Sequence, residues 1–312
     1  MANYFHSTIF CAWKGVFHQN MPLFPSDLAL EAAEQLGAAG KNARRLEGVR
    51  TEERFFDGYC VTSVAVTGES GSRALNKPVG RYVTVDLSPY FQRQDHFFPR
   101  GVHCLSRQLR HLLPRLHKND AVLVAGLGNR SLACDAVGPT AVENLLVTRH
   151  IVNDSSSPFS SFSSVAAIAT GVVSQTGIET LELIAGAAQH ISPAAVIVID
   201  ALCARSRKRL CATVQLSDTG LIPGSGVGNH RAAIDRATLG VPVIAIGIPT
   251  VIAGNSLAQE LTGEPAEDAA DLFLTPRDVS SRVAELGRLV GFSISAALHP
   301  QLTIEDITGL LS

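Results

Sequence analysis

The stretch Ala195-Val-Ile-Val-Ile-Asp200 decides the fold. Five apolar residues stand in a row with no polar alternate, so a strand made of them is covered on both faces. That places it inside a sheet with helices on either side. Similar short apolar runs lie outward from it at 121–125, 165–169 and 241–248. The segments between them read as helices. Residues 139–151 carry a proline near the first helical position, where a missing N–H costs nothing. Thr176-Gly-Ile-Glu179 has the form of a capping box and opens a helix with Ile178, Leu181, Ala185, Ala188 and Ile191 on one face. A last helix is expected over 278–298, with Asp278 as cap and Val279, Val283, Leu286 and Val290 facing inward. Alternating strands and helices predict an α/β fold, a mostly parallel sheet flanked by helices.

Further out the pattern is mixed. Residues 27–40 are alanine-rich and read as a helix. Strands at 60–66 and 81–87, joined by the turn-rich 68–77, predict an N-terminal β-hairpin. Residues 103–117 read as a basic amphipathic helix with Leu105, Leu109, Leu112 and Leu116 at helical spacing. A short strand is expected at 214–216, a loop or small excursion at 253–274, and an exposed serine-rich loop at 155–164.

Composition narrows the class. The chain has 312 residues, 46% hydrophobic and only 17% charged, which excludes a disordered chain. The net charge of −2 is spread without a basic block, so neither a nucleic-acid nor a membrane surface is expected. The apolar run 8–13 is interrupted by Lys14 and is too short to span a bilayer. The six cysteines form no C-x-x-C pair, as expected of free thiols in a reducing cytosol. Met21 is an alternative start to Met1.

Chemistry is expected beyond the carboxyl ends of the strands. Asp200, placed straight after an apolar strand, should be partly buried with a raised pKa, suited to a general acid. Asp135 precedes the 139–151 helix, whose N-terminus favours an anion. Two carboxylates held apart in pKa fit acid–base hydrolysis. Equally, Asp135 caps the helix and Asp200 bonds to loop amides. The run Pro223-Gly-Ser-Gly-Val-Gly-Asn229 fits a phosphate cradle, a loop that admits a substrate backbone, or a structural turn. Arg205 and His230 are candidates to position a carboxylate or an oxyanion. The candidate substrate-contacting residues are thus Asp218, Gly224, Gly226, Gly228, Asn229 and Arg205. A cysteine nucleophile at Cys134 or Cys203 would need a paired histidine, and a buried inert thiol is the usual case.

The ordered motifs resemble one family. Gly126-Leu-Gly-Asn129, Asp135-Ala-Val-Gly-Pro139, Glu143-Asn-Leu-Leu-Val-Thr-Arg-His150, Gln175-Thr-Gly-Ile-Glu-Thr180 and Ile199-Asp-Ala-Leu202 are similar to the germination proteases of spore-forming bacteria. So are Gln215-Leu-Ser-Asp-Thr-Gly220, the glycine run 223–229 and Leu239-Gly-Val-Pro-Val-Ile-Ala-Ile-Gly-Ile-Pro-Thr250. The resemblance spans about 27–299. It implies an aspartic-type endopeptidase without metal or cofactor, with Asp135 and Asp200 as the catalytic pair around a water, and a core sheet like that of hydrogenase-maturation peptidases. It implies small acid-soluble spore proteins as substrates, a homotetramer, and residence in the forespore or spore-core cytoplasm. It also implies a zymogen. The family cuts after an acidic residue followed by a hydrophobic residue, alanine, any residue and glutamate, and Asp27-Leu-Ala-Leu-Glu31 has that form, so self-cleavage is expected between Asp27 and Leu28. Residues 1–27 are then a propeptide or extended N-terminus, and 28–312 a single α/β peptidase domain. The chain departs from the family in Pro25-Ser26 for Arg-Thr, in Ala133-Cys134 for Thr-Pro, and in a shorter 253–274 segment. Two other readings stand beside this one: a metal-dependent, hydrogenase-maturation-like peptidase, and an inactive peptide-binding homologue.

Overall fold

A computed structural model describes residues 26–37, 39, 46–93, 95–118, 120–152, 159–228, 231–269 and 271–312. Among these, nine strands form one sheet: β1 (Val49–Phe56), β2 (Tyr59–Val66), β3 (Gly80–Asp86), β4 (Ala121–Leu127), β5 (Ser164–Gly171), β6 (Ala195–Ala204), β7 (Thr213–Ser217), β8 (Val243–Ala253) and β9 (Phe273–Leu274). The order is β1-β2-β3-β7-β8-β6-β4-β5, with β9 on β8. Strands β8, β6, β4 and β5 are mutually parallel. From β7 outward through β3, β2 and β1 the pairing is antiparallel. The N-terminal strands therefore prolong the same sheet, joined to it through β3 and β7.

The apolar run in β6 divides between the two faces as its lack of alternation requires. Ile197 and Ile199 pack under the helices Phe97–Leu112, Val137–Glu143 and Val279–Leu298. Val196 and Val198 pack on the opposite face with Ile184 and Ala188 of the helix Thr180–Ile191. All four side chains are fully buried, and each contributes about 1.5–3 kcal/mol of hydrophobic stabilisation. The central layer is thus held from both sides, which gives the strand ends a rigid base.

Several local expectations are corrected. Strands β2 and β3 do pair, but a helix, Glu69–Leu75, lies between them. The tight hairpin is β1–β2, turned by Asp57-Gly58 with φ of 53° and 85°. Two successive residues at positive φ match the right-handed strand twist, which is why Asp-Gly serves there. The helix expected at 103–117 runs Phe97–Leu112 and stops ahead of Pro114, since a residue before proline avoids the helical region. The helix expected over 139–151 is two pieces, Val137–Glu143 and Arg149–Val152. The capping box belongs to Glu179 and Glu182, not to Thr176 and Glu179. Thr176 ends a preceding turn at Gly177 in the left-handed region, and Ile178 is exposed. Residues 253–274 hold a helix, Gly254–Thr262, and the short β9. The helix at Ala29–Gln35 is capped at Leu28, while Asp27 turns elsewhere. A closing helix, Ile304–Leu311, was not expected. The choice between Met1 and Met21 lies outside the described residues, as do residues 1–25 of the segment expected to be a propeptide and part of the serine-rich loop.

Candidate active site

The site follows from the topology. Strand β4 is flanked by β5 on one side and β6 on the other, so the chain leaves β4 in one direction and returns on the other. Such a switch opens a crevice at the carboxyl ends of the two strands. Pairing of β4 with β6 ends at Gly126–Ile199, and β6 runs on from Asp200 to Ala204. Asp200 is thus the first residue of β6 beyond its neighbour. The loop leaving β4 curls into a single 3-10 turn, Ala133–Asp135, which touches β6 and β8. Gly128 permits that curl: its φ is 107°, and an added Cβ would lie 2.0 Å from the Asp135 carbonyl oxygen.

The two carboxylates differ in environment. Asp135 is half-buried and accepts the Asn129 N–H at 2.8 Å. Burial raises its pKa, while that hydrogen bond and the Arg231 charge hold it back. Asp200 is 7% exposed. Burial, reinforced by the negative charge of Asp135, pushes its pKa well above the ordinary carboxylate range, against the Ala201 N–H at 2.9 Å and Arg231. Asp27 adds to the upward push. Asp200 is therefore the more strongly perturbed of the two carboxyls. Arg231, itself 4.0 Å from Glu179, acts on both.

Residues 26–31 lie against the carboxyl end of β6. The N–H of Asp27 donates to the Cys203 carbonyl at 3.0 Å. Its Oδ2 accepts the Cys203 N–H at 2.8 Å, and its Oδ1 accepts the Ser225 hydroxyl at 2.6 Å. The register of β6 against β8 slips between Leu202 and Cys203, where Thr250 of β8 is left without a partner residue on β6. Gly226 makes room for the carboxylate, since an added Cβ would stand 2.2 Å from Asp27 Oδ2. Leu28 is wholly buried against Leu202 and Ala204. Ala29 is wholly buried too, and its N–H donates to Gln215 Oε1 at 2.7 Å. The Glu31 carboxylate accepts the N–H groups of Arg205 at 2.7 Å and Ser206 at 2.9 Å, together with the Ser26 hydroxyl. Burial raises the Glu31 pKa, and those bonds and the Arg209 charge offset part of the rise.

Of the residues singled out from sequence, Asp135, Asp200, Asp27, Leu28, Gly226 and Arg205 come together here. Arg205 contributes through its main chain, with its guanidinium against the Gln35 amide. Gly224 and Gly228, both at positive φ, bracket the turn that presents Ser225 and Gly226. Asp218 serves another purpose: its carboxylate accepts the Arg81 N–H at 2.7 Å and Nε at 2.9 Å, tying β7 to β3. Asn229 and His230 lie outside the described residues. Lys77, Gln215, Ser225 and Arg231 escaped sequence reasoning, because nothing local marks a lone polar residue as reaching a segment far away in the chain. Among the described residues no three His, Cys, Asp or Glu side chains gather as a metal set. No described helix is long and apolar enough to cross a membrane.

A profile of the family described as "Germination protease" matches residues 26–262. The chain belongs to the germination protease family. It is an endopeptidase of the aspartic type. The germination protease of Clostridium perfringens is 33% identical, over 92% of this chain and 98% of its own. That of Caldanaerobacter subterraneus is 34% identical over 92% and 97%. That of a Geobacillus species is 40% identical over 75% of this chain and 65% of its own. A NiFe hydrogenase maturation protease, HycI from Thermococcus kodakarensis, aligns at TM-score 0.35 and 16% identity, covering 60% of this chain and 98% of that one.

Proposed function

We propose that this germination protease hydrolyses small acid-soluble spore proteins through Asp135 and Asp200, and that it is made as a zymogen that cuts itself between Asp27 and Leu28. The observation that carries the reading is the seating of Asp27 on Cys203, three residues beyond Asp200 on one strand. Of the residues that the family's cleavage pattern specifies, Leu28, Ala29 and Glu31 are buried, and Asp27 is half-buried with its carboxylate bonded to the Cys203 N–H. In the mechanism, ionised Asp135 takes a proton from water, whose oxygen attacks the carbonyl carbon of the acidic residue. Protonated Asp200 delivers its proton as the C–N bond breaks and the leaving amine forms. The ordering of the two pKa shifts supports those roles. As a coupled pair they titrate together, so one proton shared between them is the active form. The enzyme works as a homotetramer in the spore cytoplasm, as the family relationship implies.

The test is incubation with a purified small acid-soluble spore protein, followed by mass analysis of fragments. Fragments ending in Asp or Glu, formed equally in chelator and lost in Asp135→Asn and Asp200→Asn, are expected. An uncut substrate would favour the inactive peptide-binding reading, and loss of cutting in chelator the metal-dependent one.

A further inference from the structure

The carbonyl oxygen of Asp27 receives two side-chain donors from different parts of the fold. Lys77 Nζ lies 3.0 Å from it, and Gln215 Nε2 lies 3.3 Å from it. We propose that Lys77 and Gln215 form an oxyanion-binding pair for hydrolysis of the Asp27–Leu28 bond and, in the same seat, of peptide substrates. The proposal rests on the reading of Asp27–Leu28 as the bond that is cut.

Both donors are fixed before any reaction. The helix Glu69–Leu75 ends at Asn76 in the left-handed region, and the Lys77 N–H returns to the Ser72 carbonyl at 3.2 Å. Pro78 follows, and its carbonyl accepts the Tyr82 hydroxyl at 2.9 Å. The Lys77 backbone is thereby locked, and its ammonium also reaches the Ser26 carbonyl at 3.5 Å. Gln215 is buried in β7. Its Oε1 accepts the Ala29 N–H, which leaves Nε2 pointing at the Asp27 oxygen. The amide is oriented by both bonds at once. Burial lowers the Lys77 pKa, and the charges of Asp27 and Glu31 oppose that fall. The ammonium is thus held in a poorly solvated place beside two carboxylates.

A pair of donors on one carbonyl acts chiefly when charge builds on that oxygen. As the water oxygen bonds to the Asp27 carbonyl carbon, the C=O electron pair moves onto the oxygen facing Lys77 and Gln215. The water proton passes to the ionised carboxylate. When the tetrahedral species collapses, the C–N bond breaks and the Leu28 nitrogen takes the proton of the protonated carboxyl. The products are a carboxyl on Asp27 and a free amine on Leu28. An ammonium that gains little against a neutral carbonyl gains much more against the oxyanion.

The test follows self-cleavage of the full chain, by the rate at which chains beginning at Leu28 appear. Because the segment is already seated, that first-order rate reports the chemical step. Hydrogen exchange at the Asp27 and Cys203 amides reports seating. Lys77→Met should slow cleavage about 100-fold or more while leaving exchange protection intact, and Lys77→Arg should recover most of the rate. Gln215→Glu keeps the acceptor for Ala29 but turns a carboxylate oxygen toward the carbonyl, and should slow cleavage at least as much. A Lys77→Met rate within about threefold of the parent overturns the proposal. So does a rate loss matched by an equal loss of protection, which would make Lys77 only a clamp. A parent chain that stays uncut while spore proteins are cleaved defeats the reading of Asp27–Leu28, and the pair with it.

Discussion

The carboxylate of Asp27 accepts the main-chain N–H of Cys203 at 2.8 Å, and Cys203 stands three residues after Asp200 on β6. One rigid strand therefore carries both the group that seats the acidic residue and the most strongly perturbed carboxyl of the site. Strand β6 is buried on both faces, so the spacing between them is set by the core. Positioning of this kind lowers a barrier by removing orientational freedom before the reaction starts.

Gly226 tests that seat with a single methyl group. Gly226→Ala places a Cβ where Asp27 Oδ2 now sits, 2.2 Å away, with Cys203 Cβ at 2.6 Å. The segment should be displaced while the sheet persists. Self-cleavage should fall about 100-fold or more, since a misplacement of an ångström is costly at a reacting centre. Far-ultraviolet circular dichroism should stay unchanged.

Asp27→Ala removes two charge-assisted hydrogen bonds, from Cys203 and from Ser225. Each is worth about 1.5–3 kcal/mol, so seating should weaken by a factor of hundreds to tens of thousands. The chain should keep its full N-terminus, as read by intact mass, under conditions in which the parent is processed.

Asp200→Asn should kill activity yet stabilise the fold at neutral pH. The folded-state pKa of Asp200 lies above its ordinary value, so the protonated form favours the folded chain. That contribution is complete below the ordinary aspartate pKa and is lost as pH rises through the raised value. Asparagine never ionises and escapes the loss. A higher Tm than the parent is expected at pH 7–8, and the difference should vanish in acid. Differential scanning calorimetry of both forms across pH checks this.

Much of this site was legible in the chain. Asp200 announced itself as a carboxylate ending an apolar strand, and Asp135 as an acid in the loop after β4. The glycine run was marked as a place of close approach, and Gly226 proves to admit a side chain there. What stayed hidden depends on long-range pairing. Lys77 looked like a turn residue, and only the docking of 26–31 across β6 and β7 brings it to a carbonyl fifty positions earlier in the chain. Arg231 next to His230 drew no notice, because its effect on the two aspartates depends on a fold that crosses the switch point. Local signals misled where two stood together: Thr176 and Glu179 have box spacing, but Gly177 adopts the left-handed region and breaks the helix between them. The Asp57-Gly58 turn carries a plain hairpin signature, but the strand ahead of it, Arg50-Thr-Glu-Glu-Arg54, lacks the apolar alternation that marks a strand.

Arg231 supplies a pH test whose direction is fixed. Its charge lowers the pKa of both Asp135 and Asp200. Activity should rise as the pair loses its first proton and fall as it loses the second, a bell in log rate against pH. Arg231→Met removes the positive charge, so both limbs should move to higher pH. A shift to lower pH, or a profile that stays put, would contradict the assignment of the titrating groups.

The central claim is that Asp135 and Asp200 together hydrolyse the bond after Asp27, and intact-mass analysis of three chains tests it most directly. The parent, Asp135→Asn and Asp200→Asn are incubated under identical conditions. The account predicts a parent product beginning at Leu28 and two variants that remain full length while folded. A variant processed at that same bond at the parent's rate would contradict it.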